Sequence, residues 1–160
     1  MEGAMTMMLR MKMKMKTVTT VVGGMVGFML VATLAAQNRP VDKAFAEYDR
    51  IAQALVKDSI EGVPAAAAAL QPLAVEVGGD GAKASAAKLA AATSLEDVRT
   101  AFGELSEVLV PKFLDAELPG VVGFVCTMKK TRWAQRGETT ANPYYGKAMP
   151  TCGVPIKRGG

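Results

Sequence analysis

Apolar side chains recur at helical spacing over two stretches of the chain. Val41, Phe45, Tyr48, Ala52 and Leu55 follow one another at steps of four, three, four and three, which sets them on one face of an amphipathic helix. Asp42, Lys43, Glu47, Asp49, Arg50 and Lys57 fall on its other faces. Val98, Ala101, Phe102, Leu105, Val108 and Leu109 share one face of a second such helix. Between the two, Glu61-Gly62-Val63 predicts a turn, and Pro64 suits the first position of a helix. The alanine run 65–69 has high helix propensity. Pro72 should kink that helix or end it early. Gly78-Gly79-Asp80-Gly81 reads as a clear break, after which a helix from about Ala82 to Ala92 is expected. Ser94 with Asp97 approximates a capping box at the start of the last helix, and Pro111 is expected to bend its last turn.

Four short helices joined by short turns predict an antiparallel bundle. Pro119-Gly120 ends it. Val121 to Val125 is a β-branched run long enough for one strand. If that strand runs on, Cys126 and Met128 point to one face. Asn142-Pro143 and Tyr145-Gly146 are turn signals. The expected fold is therefore mostly α: a short antiparallel helical bundle over residues 37–118, with an irregular tail over 119–160 that carries a short strand and turns and packs on the bundle.

The first 36 residues differ in character. Lys12, Lys14 and Lys16 precede an uncharged run from Thr17 to Ala36, the pattern of a secretory signal peptide. Cleavage is expected after Ala35 or Ala36. An uncleaved membrane anchor is the alternative, because the run has about the twenty residues a spanning helix needs. Thr17, Thr19, Thr20, Gly23, Gly24 and Gly27 dilute its apolarity and favour the signal. Either way the remainder is expected outside the cytoplasm, in the periplasm or its equivalent.

Charge divides the chain as well. Residues 37–125 carry eight basic and thirteen acidic side chains, whereas 126–160 carry seven basic side chains and one acid, Glu138. A basic tail can signal nucleic acid, but export separates this chain from it. Attraction between tail and body explains the asymmetry as well. Glu96, Asp97, Glu104 and Glu107 read as a solvated helix face. Histidine is absent from the whole chain. Neither a Ser/His/Asp set nor a Cys/His pair exists, so a thiol nucleophile would lack its usual base, and no enzymatic activity is expected. Residues 37–125 contain no histidine, methionine or cysteine, so haem is not expected in the bundle.

Chemistry concentrates in the tail. Both cysteines, Cys126 and Cys152, lie there, with Met128 and Met149, the only methionines beyond the first thirty residues. Trp133, Tyr144 and Tyr145 lie there too. Thiolate and thioether are soft donors that select Cu(I) and similar ions. A site of Cys126, Met128, Met149 and Cys152, shielded by Trp133 and the tyrosines, is one reading. The other is a Cys126–Cys152 disulfide with two packing methionines. Such a bridge would close a loop of about 25 residues and add roughly 3 kcal/mol. Both readings require the two cysteines to be neighbours.

The order Cys126-x-Met128, Trp133-x-Gln135, Asn142-Pro143-Tyr144-Tyr145-Gly146 and Met149-x-x-Cys152-Gly153 resembles the domain-of-unknown-function 3347 family, over about residues 42–155. Thr127 stands where that family usually has proline, and Val125 where some members have histidine, so a mixed His/Cys site is not available here. The resemblance implies an exported protein handling copper or another heavy metal, with efflux-system proteins as partners. It assigns Asn142, Pro143, Tyr144, Tyr145 and Gly146 to the structural frame of the tail.

Overall fold

The computed structural model describes residues 39–156. The expected leader over 1–36 lies outside the described residues. The described chain is mostly helical, with a small antiparallel sheet at its C-terminal end. Its elements are helix α1 (Pro40–Val56), helix α2 (Val63–Ala91), helix α3 (Leu95–Asp115), strand β1 (Val121–Cys126), strand β2 (Thr131–Arg136), a 3-10 turn (Gly146–Ala148) and strand β3 (Val154–Pro155). None of the described helices is long and apolar enough to cross a membrane.

Helix α1 opens with Pro40, whose fixed φ suits the first turn, and with Asp42 held by Arg39 at 2.7 Å. It buries Ala44, Phe45, Tyr48, Ile51, Ala52 and Leu55, the stripe that its spacing predicts. Helix α3 is capped by Ser94, whose hydroxyl accepts the Asp97 N–H at 3.1 Å and donates to the Asp97 carboxylate at 2.6 Å. It buries Val98, Ala101, Phe102, Leu105 and Leu109, and it runs past Pro111 to bury Phe113.

The segment between them departs from expectation in part. Residues 63–91 hold two helical stretches that meet at Gly79, as the glycine cluster predicts, but the first of them continues through Pro72. Leu70 and Ala74 on either side of Pro72 have no exposed surface, so packing holds the helix together where propensity would end it. The glycine cluster produces a kink instead of a loop. Gly79 alone leaves helical space, at φ 74° and ψ −167°. Its neighbour Gly78 marks close helix contact, since a Cβ there would lie 3.0 Å from Val108 Cγ1 and 3.1 Å from Leu109 Cδ2 of α3.

The sheet has the order β2-β1-β3. Strand β2 was not expected, because Thr-Arg-Trp-Ala-Gln-Arg shows no apolar alternation. It pairs antiparallel with β1, with Phe124 opposite Trp133 and Cys126 opposite Thr131. Its outer edge does not stay open. The Arg132 N–H donates to Glu107 Oε1 at 3.1 Å, and the Ala134 N–H donates to the Tyr48 hydroxyl at 3.4 Å. Side chains from α3 and α1 thus satisfy an edge that would otherwise pair with another chain.

A run of aromatic contacts ties tail to helices. Phe45 meets Phe113 edge-on at 5.2 Å, and Tyr48 lies 4.8 Å from Phe102. Phe102 lies 5.9 Å from Tyr144, Tyr144 6.1 Å from Trp133, and Trp133 stacks on Phe124 at 5.2 Å. The hydrophobic core is therefore continuous from α1 to the sheet.

Candidate functional site: a cysteine pair at the end of the sheet

Strand β1 ends at Cys126, which has no exposed surface. Residues 127–130 then turn sharply. The Lys130 N–H donates to the Cys126 carbonyl at 2.7 Å, with Lys130 in the left-handed region at φ 55°. This turn wraps the backbone around the sulfur. The Lys129 N–H donates to Cys126 Sγ at 3.5 Å, and the Met128 N–H points at it as well.

Because the strand stops at Cys126, the expected shared face of Cys126 and Met128 is not formed. The turn turns the Met128 side chain outward, leaving it 63% exposed. Met149 is half-buried in the turn before Cys152, where its carbonyl accepts the Cys152 N–H at 3.3 Å.

The two cysteines do meet. The half-buried Cys152 thiol lies beside Cys126, whose pKa it helps to lower, and 3.6 Å from the Thr127 hydroxyl. Both thiols are free.

Asn142 joins the pair from below and is itself completely buried. Its Nδ2 donates to the Cys152 carbonyl at 2.6 Å and to Cys126 Sγ at 3.4 Å. Its Oδ1 accepts the N–H groups of Tyr144, at 2.8 Å, and Tyr145, at 3.3 Å. The Asn142 N–H donates to the Pro150 carbonyl at 2.9 Å, which draws the Met149–Cys152 turn alongside.

Burial pushes the Cys126 thiol pKa up. The Lys129 N–H, the Asn142 amide, the Met128 N–H and the Cys152 thiol all pull it down, and together they leave it below the ordinary thiol value.

The remaining residues form the frame. Trp133 is fully buried and donates through Nε1 to Gln135 Oε1 at 2.9 Å; the same oxygen accepts the Ala141 N–H at 3.0 Å. Gly153 lies directly on the indole, where a Cβ would collide with Trp133 Cη2. The Tyr144 hydroxyl donates to the Arg132 carbonyl.

The far side of the loop is held by two residues that its own sequence does not reveal. Arg99 donates to the Pro143 carbonyl at 2.9 Å and to the Leu55 carbonyl at 3.1 Å, and pairs with Asp58 at 2.6 Å. Gly146, at φ 50°, fits against this ion pair; a Cβ there would overlap Asp58 Oδ1. Asp58 and Arg99 lie more than forty positions from their partners in the loop, too far apart in sequence for any local pattern to link them.

Among the described residues, no three histidine, cysteine, aspartate or glutamate side chains gather as a metal-binding group. Any ion taken here relies on the two thiolates and on thioether sulfur. No protein-family profile, curated protein or solved structure matches the chain.

Proposed function

We propose that this protein binds a soft metal ion, of which Cu(I) is the model, between Cys126 and Cys152, and that it serves heavy-metal handling outside the cytoplasm. The observation that carries this reading is the contact of the two thiols at a sulfur that already accepts hydrogen bonds from the Lys129 N–H and the Asn142 amide. Metals bind the thiolate, and donors around a ligand raise affinity by orienting it and stabilising its charge. Cu(I) accepts thiolate and thioether alike, so Met149, in the turn before Cys152, is a further donor, and Met128 joins only if its outward side chain folds back over the pair. The basic leader ahead of an apolar run, and the resemblance of the tail to the domain-of-unknown-function 3347 family, support the extracytoplasmic setting.

The nearness of the two thiols also favours a second reading. A Cys126–Cys152 disulfide would staple the tail, making the protein a structural or interaction module of an efflux system. One feature weighs toward metal. A disulfide sulfur is a weak acceptor and gains little from the donors aimed at Cys126, whereas a thiolate gains much. Counting thiols on protein isolated without reductant tests the choice. Two reactive thiols, followed by uptake of one Cu(I) per chain in competition with a chromogenic chelator, are expected. An intact disulfide that persists in the exported protein would replace the metal reading with the second.

A further inference from the structure

We propose that the tip of the sheet, made of the turn 127–130 and the edge strand β3, is a docking surface for a partner protein whose own face is acidic around an apolar centre. Among the described residues two large apolar side chains are exposed, Met128 at 63% and Val154 at 51%. Each lies two positions beyond a cysteine, Met128 after Cys126 and Val154 after Cys152. The fold brings both to one end of the sheet, because Val154 pairs with Val125 and the Thr127 hydroxyl lies 3.6 Å from the Cys152 thiol. Single apolar side chains scattered over a surface need no explanation, but two at one place mark a contact. Methionine suits such a contact, because its flexible thioether adapts to what it meets.

Charge identifies the occupant. Thr127, Met128, Lys129 and Lys130 are all exposed. Among the described residues no carboxylate forms an ion pair with Lys129 or Lys130. Glu104 and Glu107 border the same groove as Lys129, but Lys88 holds the first at 2.8 Å and Arg132 holds the second at 2.8 Å. The two ammonium groups beside Met128 therefore fit a partner that brings carboxylates to the rim of an apolar contact. A second copy docking by the same face would set lysine against lysine. Strand addition at the open edge is also disfavoured, because β3 is two residues long and Pro155 has no N–H to offer. On the metal-binding reading above, on which this step alone rests, the partner exchanges its ion with the cysteine pair past Met128.

The probe is a synthetic peptide with a Met-x-x-Met centre flanked by aspartates, compared with one carrying asparagine at those flanks. The methyl resonances of Met128 and Val154 in metal-free protein are expected to shift saturably with the acidic peptide and to stay still with the neutral one. Lys129→Glu together with Lys130→Glu is expected to weaken that binding about tenfold, since two exposed attractions become two repulsions. Added salt should weaken it in the parent protein, a measurement that needs no substitution. Methyls that respond to neither peptide or to both alike overturn the proposal, as does a salt-independent affinity or a folded double variant that binds as tightly as the parent. A stronger response to phosphatidylglycerol vesicles than to the acidic peptide overturns it in favour of a membrane contact. Self-association that shifts the same methyls overturns it in favour of a second copy. Cu(I) is then offered as its peptide complex. Transfer is expected to be faster from the acidic peptide than from the neutral one, and the double variant should lose the difference. Equal rates in the parent overturn the exchange step alone. Docking by a protein that takes up no Cu(I) overturns the proposed function and leaves the docking surface standing. Uptake of Cu(I) from a chelator without docking does the reverse.

Discussion

Gly153 lies against the face of Trp133 so closely that a methyl group on its Cα would overlap the indole. The contact fixes the chain one residue beyond Cys152 onto the most deeply buried ring of the tail. Trp133 cannot retreat, because it stacks on Phe124 and its nitrogen is bonded to Gln135. Gly153→Ala is therefore expected to destabilise the protein by about 1–3 kcal/mol, the range for overpacking a filled core. Denaturant unfolding followed by Trp133 emission measures it. An alanine variant as stable as the parent would show that the 152–153 backbone can lift away from the ring.

The Tyr48 hydroxyl joins α1, α3 and the sheet in one buried place. It lies 2.7 Å from Ser106 Oγ and accepts the Ala134 N–H at 3.4 Å. Burial raises its pKa well above the ordinary tyrosine value, so it stays neutral and protonated. Tyr48→Phe keeps the ring but leaves Ser106 and the edge N–H of β2 without their partner. A loss of about 1–3 kcal/mol is expected, the cost of a buried polar group left unsatisfied. Hydrogen exchange at the Ala134 amide should quicken more than at its strand neighbours. Equal exchange along β2 would mean that the hydroxyl does not protect the edge.

What the sequence disclosed and what it hid follow from the range of the forces involved. The buried stripes of α1 and α3 were legible because helix periodicity is local and their outer faces are charged. Phe102, expected in the core from that spacing, has no exposed surface. The kink at Gly79 was legible as an interruption but not in degree, since packing at Leu70, Ala74 and Gly78 decides whether the chain continues as helix. Strand β2 was hidden because both of its faces are covered: Trp133, Ala134 and Gln135 are all buried, which erases the alternation. The nearness of Cys126 and Cys152 was legible as a requirement of either sulfur chemistry. The outward turn of Met128 was not, because it depends on where β1 stops. Asn142 read as a turn residue. Its second task, toward the sulfurs, exists only once the chain has closed on itself.

Acid should loosen the brace behind the loop. The hydrogen bond from Arg99 is the largest influence on Asp58 and holds its carboxyl below the usual range, with the Lys147 N–H adding to it. A carboxylate whose folded pKa lies below its unfolded pKa contributes stability above the unfolded value. That contribution fades as pH falls through the folded value. Unfolding midpoints are therefore expected to drop on acidification past the ordinary carboxylate range, and Asp58→Asn should flatten that part of the profile. Asp49 acts in the opposite sense, since burial raises its pKa and its contribution fades as pH rises. A double variant, Asp49→Asn with Asp58→Asn, separates the two. If Asp58→Asn leaves the acid limb unchanged, the Arg99 pair contributes nothing measurable to the fold.

The sulfurs themselves give the sharpest ordering. Cys126 is buried, anionic in tendency and surrounded by N–H donors, while Cys152 is half-buried beside it. If Cu(I) is held between them, either serine variant should lower affinity by more than about tenfold, the least that even an outer-shell loss costs. The methionines should matter less and unequally. Met128 projects outward from the turn at 63% exposure, so using its thioether requires ordering a flexible side chain against solvent. Met149 is half-buried and three residues before Cys152, in the turn that Asn142 draws in through Pro150. Met149→Leu should therefore weaken Cu(I) binding more than Met128→Leu, with the fold intact in both. Binding should also weaken on acidification, because protons compete for the thiolates. Competition titrations of the four variants at two pH values test the whole ordering. Leucine variants that bind as tightly as the parent would make both methionines packing or surface residues and leave the ion to the cysteines alone. Serine variants that bind as tightly would remove the metal from this site altogether.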